Sequence, residues 1–231
     1  MDRAAFFAHL TVTDPVLFRD GMTAAQRAGL SLKLDVWARW YAHAHPVSYL
    51  AAALGQIYRE TGGRMEPVLE AFAPDRETAA QRLQAAWEAG RLKWVRQPYW
   101  ERDETGRRPL GGGDIQLTHR RNYIAAETRL SDRFGVSIGL SENYDLILDP
   151  VVSAHVAFAG MIEGWFRSCK LDDFCSDAGF DYAAARDIVN GDAGLIGDEI
   201  ARNCEVFEAA LRAAGADRAF GPPEVDIDWP S

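Results

Sequence analysis

A mainly α protein with one small β element is what this sequence predicts, and three observations carry that reading. Apolar residues recur at helical spacing through most of the chain, as at Leu50, Ala53, Leu54 and Ile57. Helix punctuation frames these stretches, with Gly62-Gly63, Gly90 and Gly215 at their ends and Asp75 and Asp149-Pro150 at their starts. Only residues 91–113 break the pattern. There Leu92, Trp94, Val95, Tyr99 and Trp100 flank a polar turn at Thr105-Gly106, which predicts a β-hairpin or a long loop beside a cleft. No internal repeat, low-complexity run or linker divides the 231 residues. One domain over 1–220 is therefore expected, followed by a Pro-rich acidic tail over 221–231.

In order, residues 2–10 present Phe6, Phe7 and Leu10 on one face and predict a short opening helix. Residues 24–44 are helical in composition, with Trp37, Trp40 and Tyr41 as core bulk, and His45-Pro46 ends them because the residue before proline disfavours helical geometry. A helix containing Leu50 follows and runs to Glu60. Residues 76–89 read as amphipathic with a solvated charged face, and residues 115–130 as a helix entered through Thr118 as N-cap. From Asp149-Pro150 to about Phe166 the pattern is apolar on most sides, which marks the central helix of the bundle. A short helix over 182–189 and a long amphipathic one over 195–214 complete the set.

Charge narrows the function classes. With 34 acidic and 25 basic residues the net charge is -9, which speaks against a nucleic-acid partner. No apolar run approaches the roughly 20 residues of a membrane span, so membrane insertion is not expected. The opening MDRAAFFAHL lacks the parts of a signal peptide, so cytoplasmic synthesis is expected. Three cysteines suit free buried thiols better than a disulfide framework, and the five histidines show no metal-ligand spacing. No metal and no cofactor is expected, and a monomer is.

The chemistry-bearing stretch is residues 50–70. Glu60 lies three residues past Ile57 and continues the apolar stripe, with Gly62 and Gly63 able to take a left-handed C-terminal cap. Glu70 follows one short segment later, and two such acids are a candidate pair for general acid/base work.

Three segments then carry a resemblance. Tyr58-Arg59-Glu60-Thr61-Gly62-Gly63 with Met65-Glu66-Pro67-Val68-Leu69-Glu70 resembles an H-E-T helix end continued by M-x-P-[IV]-x-E. Residues 111–123, GGGDIQLTHRRNY, resemble G-R-G-[aromatic]-[VI]-Q-[LI]-[TS]-x-x-x-N-Y. Residues 160–166, GMIEGWF, and 185–191, ARDIVNG, resemble G-M-x-E-G-W-F and A-R-R-I-I-N-G. These are motifs of glycoside hydrolase family 19, chitinase-like proteins and phage-type endolysins of the lysozyme-like superfamily. The resemblance implies an α+β lysozyme-like fold and hydrolysis of β-1,4 bonds in N-acetylated glycans, with peptidoglycan first and chitin as the competing polymer. It also implies action on the cell wall after release by a holin or a secretion apparatus.

In an inverting glycosidase one carboxylic acid protonates the leaving oxygen and a second carboxylate activates water, the two lying roughly 6.5–9.5 Å apart. By motif position Glu60 is the acid and Glu70 the base. Desolvation at the inner end of the stripe would keep a proton on Glu60. The resemblance further implies that Thr118 holds the water, that Gln116 and Asn122, with Tyr123, bind the sugar, and that Asn190 lines the cleft. Tyr99 and Trp100 would stack on sugar rings. Each has a plain alternative: Thr118 as a helix cap, Asn122 as a surface amide, Tyr99-Trp100 as hairpin core. Glu66, Glu101 and Glu104 compete with Glu70 for the base role. The chain departs from the pattern at Arg59, where the family has His, and at Gly112 and Asp114, where it has Arg and an aromatic.

Overall fold

A computed structural model describes residues 1–217 and 220–224. The protein is mainly α, with small two-stranded elements. The described residues divide into two compact units, residues 67–153 forming one and residues 1–66 with the chain from Ala154 onward the other.

The first unit holds α1 (Arg3–Ala8), α2 (Ala24–Trp40), α3 (Val47–Glu60), the larger part of α6 (Pro150–Glu163) and α7 (Ala193–Ala213). Thr23 caps α2 through a reciprocal pair with Gln26, in which each side chain accepts the other residue's backbone N–H. The expected core aromatics Trp37 and Tyr41 are buried and pack against Phe158 of α6, and the Tyr41 hydroxyl lies 2.8 Å from His155 Nδ1. Every residue of α6 from 152 to 161 is buried, as its all-round apolar pattern required. The helix stops three residues short of Phe166. At Gly164 the backbone turns to φ 74°, and the Phe166 ring folds back over Gly160, where a Cβ would lie 2.0 Å from the ring. A similar close approach joins α3 to α7, because a Cβ on Gly55 would meet Cys204 Sγ at 2.3 Å. A small antiparallel hairpin, β3 (Cys175–Ser176) with β4 (Gly179–Phe180), also belongs here. Its Cys175 is exposed, so only Cys204 of the three thiols is buried as expected.

The second unit holds α4 (Arg76–Glu88), α5 (Arg120–Phe134) and the strand pair β1 (Val68–Leu69) and β2 (Gly112–Gly113). Asp75 caps α4 through the Thr78 N–H at 2.7 Å, and Gly90 ends it at φ 69°. The apolar face of α4, from Ala79 to Leu83, packs with Leu69, Trp100 and Leu110. Of the two forms expected over 91–113, a β-hairpin or a long loop, the loop is the one observed, running up to β2. Tyr99 and Trp100 turn towards α4, so only the tight turn survives, with the Gly106 N–H donating to the Asp103 carbonyl at 2.9 Å. The strand that does form pairs residues far apart in sequence, Val68 with Gly113 and Leu69 with Gly112, antiparallel.

The start of α5 also differs from expectation. Residues 112–117 fold back on themselves, with the Leu117 N–H donating to the Gly112 carbonyl at 2.8 Å, and Gln116 and His119 take φ of 55° and 72°. The helix therefore opens at Arg120, not near Ile115, and Thr118 is not its cap. Of the tail expected over 221–231, residues 225–231 lie outside the described residues. Glu224 donates its N–H to Asp35 Oδ1 at 2.9 Å. Among the described residues no helix is long and apolar enough to cross a membrane.

Candidate active site

Glu70 follows directly on β1, and its backbone N–H bonds the Gly111 carbonyl at 2.9 Å, which sets the carboxyl over the start of β2. Both of its oxygens accept a hydrogen bond, Oε1 from the Tyr99 hydroxyl and Oε2 from the Gly111 N–H at 3.0 Å. Burial, and after it the charge of Glu70, pushes the Tyr99 phenol far above its ordinary range, so Tyr99 stays a donor. Tyr99 thus orients a carboxylate instead of offering a free ring face.

Gly111 is where the candidate residues converge. A Cβ built there would lie 2.9 Å from Gln116 Oε1, 3.0 Å from Glu70 Oε2 and 3.2 Å from Thr118 Oγ1. Only a residue without a side chain leaves room for these three oxygens to gather. The Gln116 amide nitrogen is held by the Val68 and Gly113 carbonyls at 3.0 and 3.2 Å, which leaves its oxygen turned inward to the cluster. Thr118 donates its hydroxyl hydrogen to the Gln116 carbonyl at 2.8 Å, so its lone pairs are what a water would meet. Asn122 is half-buried and donates to the Thr118 carbonyl at 2.7 Å, which holds the Thr118 backbone in place.

The backbone here is strained. Among the described residues five non-glycine residues have positive φ, namely Met65, Ala71, Phe72, Gln116 and His119, and these fall in the two segments that bracket Glu70 and Thr118. Such conformations cost about 1–3 kcal/mol each and gather at functional sites.

Two expected substrate contacts are buried. Trp100 is 2% exposed, donates its indole N–H to Gln84 Oε1 at 3.0 Å and packs on Trp87, so the apolar face of α4 claims the surface assigned to sugar. Tyr123 is fully buried and donates to the Leu110 carbonyl at 3.0 Å, which braces the segment leading into β2. Among the competing acids, Glu66, Glu101 and Glu104 are all exposed, and Glu104 pairs with Arg120 at 3.3 Å.

The other unit carries a second polar cluster. Glu60 ends α3 with its side chain 16% exposed, and Oε1 accepts from Arg186 Nη1 at 2.6 Å. The same nitrogen reaches Gln56 Oε1 at 2.9 Å, and Arg186 Nε reaches Asp192 Oδ1 at 2.7 Å. Burial works against charge on Arg186, yet Asp192 and Glu60 outweigh it and hold the guanidinium pKa above its usual value. Asn190 is exposed and caps the Gly191 N–H at 3.0 Å beside this network. Arg59 stands away from Glu60, paired with Glu199 at 3.2 Å on the surface, as the turn of about 100° between adjacent helix residues allows. Asp114, fully buried, receives the Ser153 hydroxyl oxygen as acceptor for its own N–H at 2.7 Å.

Sequence reasoning missed Arg186. The available signal was weak, an arginine between Ala185 and Asp187 in a segment that also carries Ile188 and Val189, and a buried arginine requires a partner. Among the described residues no three of His, Cys, Asp and Glu gather to share a metal ion. Fold and site together define a mainly α protein with a carboxylate held at a strained, glycine-lined turn. No protein-family model matches the chain, and no curated protein matches it.

Proposed function

We propose that this protein is a glycoside hydrolase that cleaves β-1,4 bonds of N-acetylated glycans, peptidoglycan first, by an inverting two-carboxylate mechanism, acting on the cell wall after release by a holin or secretion apparatus. The observation that carries the reading is the convergence of Glu70, Thr118 and Gln116 on Gly111. Glu70, oriented by Tyr99 and the Gly111 N–H, is the general base. Thr118 accepts a hydrogen bond from the attacking water and so aims the water's lone pair at the anomeric carbon. Gln116 Oε1 accepts from the sugar's N-acetyl N–H. Glu60 is the proposed general acid, with its Oε1 accepting from Arg186.

A second reading rests on that same ion pair: a glycan-binding protein whose Glu60 is engaged by Arg186 and does not turn over. Clearing of outer-membrane-permeabilised cells separates the two. Lysis by the wild type that vanishes in Glu60→Gln and in Glu70→Gln supports the hydrolase. Binding to cell wall with no lysis and no new reducing ends overturns it.

A further inference from the structure

The unit of residues 67–153 contains a cavity of 260 Å³ that the glycan reading does not use. Its walls carry four guanidinium groups, those of Arg76, Arg102, Arg107 and Arg108. Only two carboxylates line it, Glu77 and Asp145, in a chain whose net charge is -9.

The four cations are not equivalent. Arg76 is a fixed post, donating Nε to Asp145 at 2.7 Å and its other nitrogens to the carbonyls of Arg108, Leu110 and Tyr144. Arg108 grips Glu77 with two bonds of 3.0 Å, and Arg102 shares that same carboxylate at 3.0 Å. One glutamate therefore serves two arginines, and Arg107 has no carboxylate partner among the described residues. Arg102 also donates to the Gly106 carbonyl at 2.7 Å and Arg108 to the Trp100 carbonyl at 2.9 Å, so Arg107 carries the uncommitted guanidinium, and four cations against two carboxylates favour an oxyanion over a neutral ligand. The cavity also adjoins the segment that holds the proposed base. Arg76 holds the Leu110 carbonyl at 3.1 Å, and the next residue, Gly111, gives its N–H to Glu70.

We propose that this cavity binds a carboxylate carried by the glycan, namely the stem-peptide carboxylates of peptidoglycan, and so directs the protein to a charged wall polymer over neutral chitin. The identity of the polymer rests on the hydrolase reading; the preference for an anion does not. Arg107 is the exposed lead contact and Arg102 the second, with Arg76 and Arg108 as the frame.

Co-sedimentation of the full chain with purified sacculi tests this, set beside chitin, an N-acetylated β-1,4 polymer without carboxylates. At low ionic strength the wild type binds intact sacculi about fivefold more tightly than chitin, the scale of one or two exposed charge pairs. Arg107→Glu erases that difference, Arg102→Gln reduces it, and about 0.5 M salt shrinks it in the wild type by screening. Circular dichroism confirms that both variants fold. Equal binding of the two polymers by the wild type, or an Arg107→Glu protein that keeps the preference, overturns the proposal. Turnover is read separately on both polymers. A wild type that prefers intact sacculi but cleaves neither polymer overturns the hydrolase alone, and one that cleaves both while binding them equally overturns the carboxylate site alone.

Discussion

Arg186 is the residue whose removal tests the geometry around Glu60 most directly. Its side chain is 3% exposed and it holds two carboxylates, Glu60 at 2.6 Å and Asp192 at 2.7 Å, with Gln56 at 2.9 Å. Hydrogen bonds to charged groups contribute about 1.5–3 kcal/mol each, so the two short ones are worth roughly 3–6 kcal/mol before the burial of the guanidinium is set against them. Removing one partner of a buried pair costs about 3–5 kcal/mol, because the other charge is left unmatched. Here the stranded carboxylates are partly exposed, Glu60 at 16% and Asp192 at 27%, so water recovers a share. Arg186→Met should therefore lose about 3 kcal/mol in urea unfolding followed by circular dichroism, or roughly 6–12 °C in Tm. Arg186→Lys keeps the charge without the fork and should fall between the two proteins. Glu60→Gln should cost less than Arg186→Met, because Arg186 keeps Asp192. In a double-mutant cycle the pair should couple by about 1–2 kcal/mol. An Arg186→Met protein as stable as the wild type, or a cycle with no coupling, would refute the argument.

Four further outcomes follow from other parts of the structure. Gly111→Ala should fold, since its Cβ meets only side-chain ends, yet lose at least about 100-fold in wall clearing as Glu70 and Thr118 are pushed aside; full activity would remove Gly111 from the site. Tyr99→Phe should cut kcat about tenfold with little change in KM, because it frees the carboxylate without deleting it. Gly55→Ala should destabilise by about 2–3 kcal/mol, since its Cβ would sit 2.3 Å from Cys204 Sγ and 2.9 Å from the Cys204 backbone nitrogen. Asp103 gives a pH signature. Burial alone would raise its carboxyl, but hydrogen bonds from Thr105, Tyr144 and the Arg107 N–H pull it from 3.8 down to about 2. A depressed pKa stabilises the fold above the unfolded value of 3.8 and loses that contribution as the pH falls towards 2. Asp103→Asn should therefore be about 1–2 kcal/mol less stable than the wild type at pH 6, with the gap closing between pH 4 and 2; a gap that stays constant with pH would contradict the assignment.

How much was legible in the sequence differs from one segment to the next. Helix α6 was readable because a helix with apolar residues on every side has nowhere to go but the interior. The stops at Gly62, Gly63, Gly90 and Gly215 were readable because each requires a positive φ that glycine accepts at little cost. Glu70 and Thr118 were readable as candidates, but their meeting at Gly111 was not, since the strand pair that joins them links residues some forty positions apart.

What the sequence determined by itself was therefore local: helix spacing, turn chemistry and which residue types were present to do chemistry. What only the tertiary structure decided was partnership. Trp100 and Tyr123 carry the same rings a sugar site would use, yet packing on α4 and the Leu110 carbonyl claimed them. Arg59 and Arg186 carry the same charge, but one reaches Glu199 at the surface and the other Glu60 within. The physical reason is range. Backbone preference and periodicity act over a few residues and can be read along the chain, whereas burial and ion pairing depend on which distant segment arrives alongside, and that is settled when the chain packs.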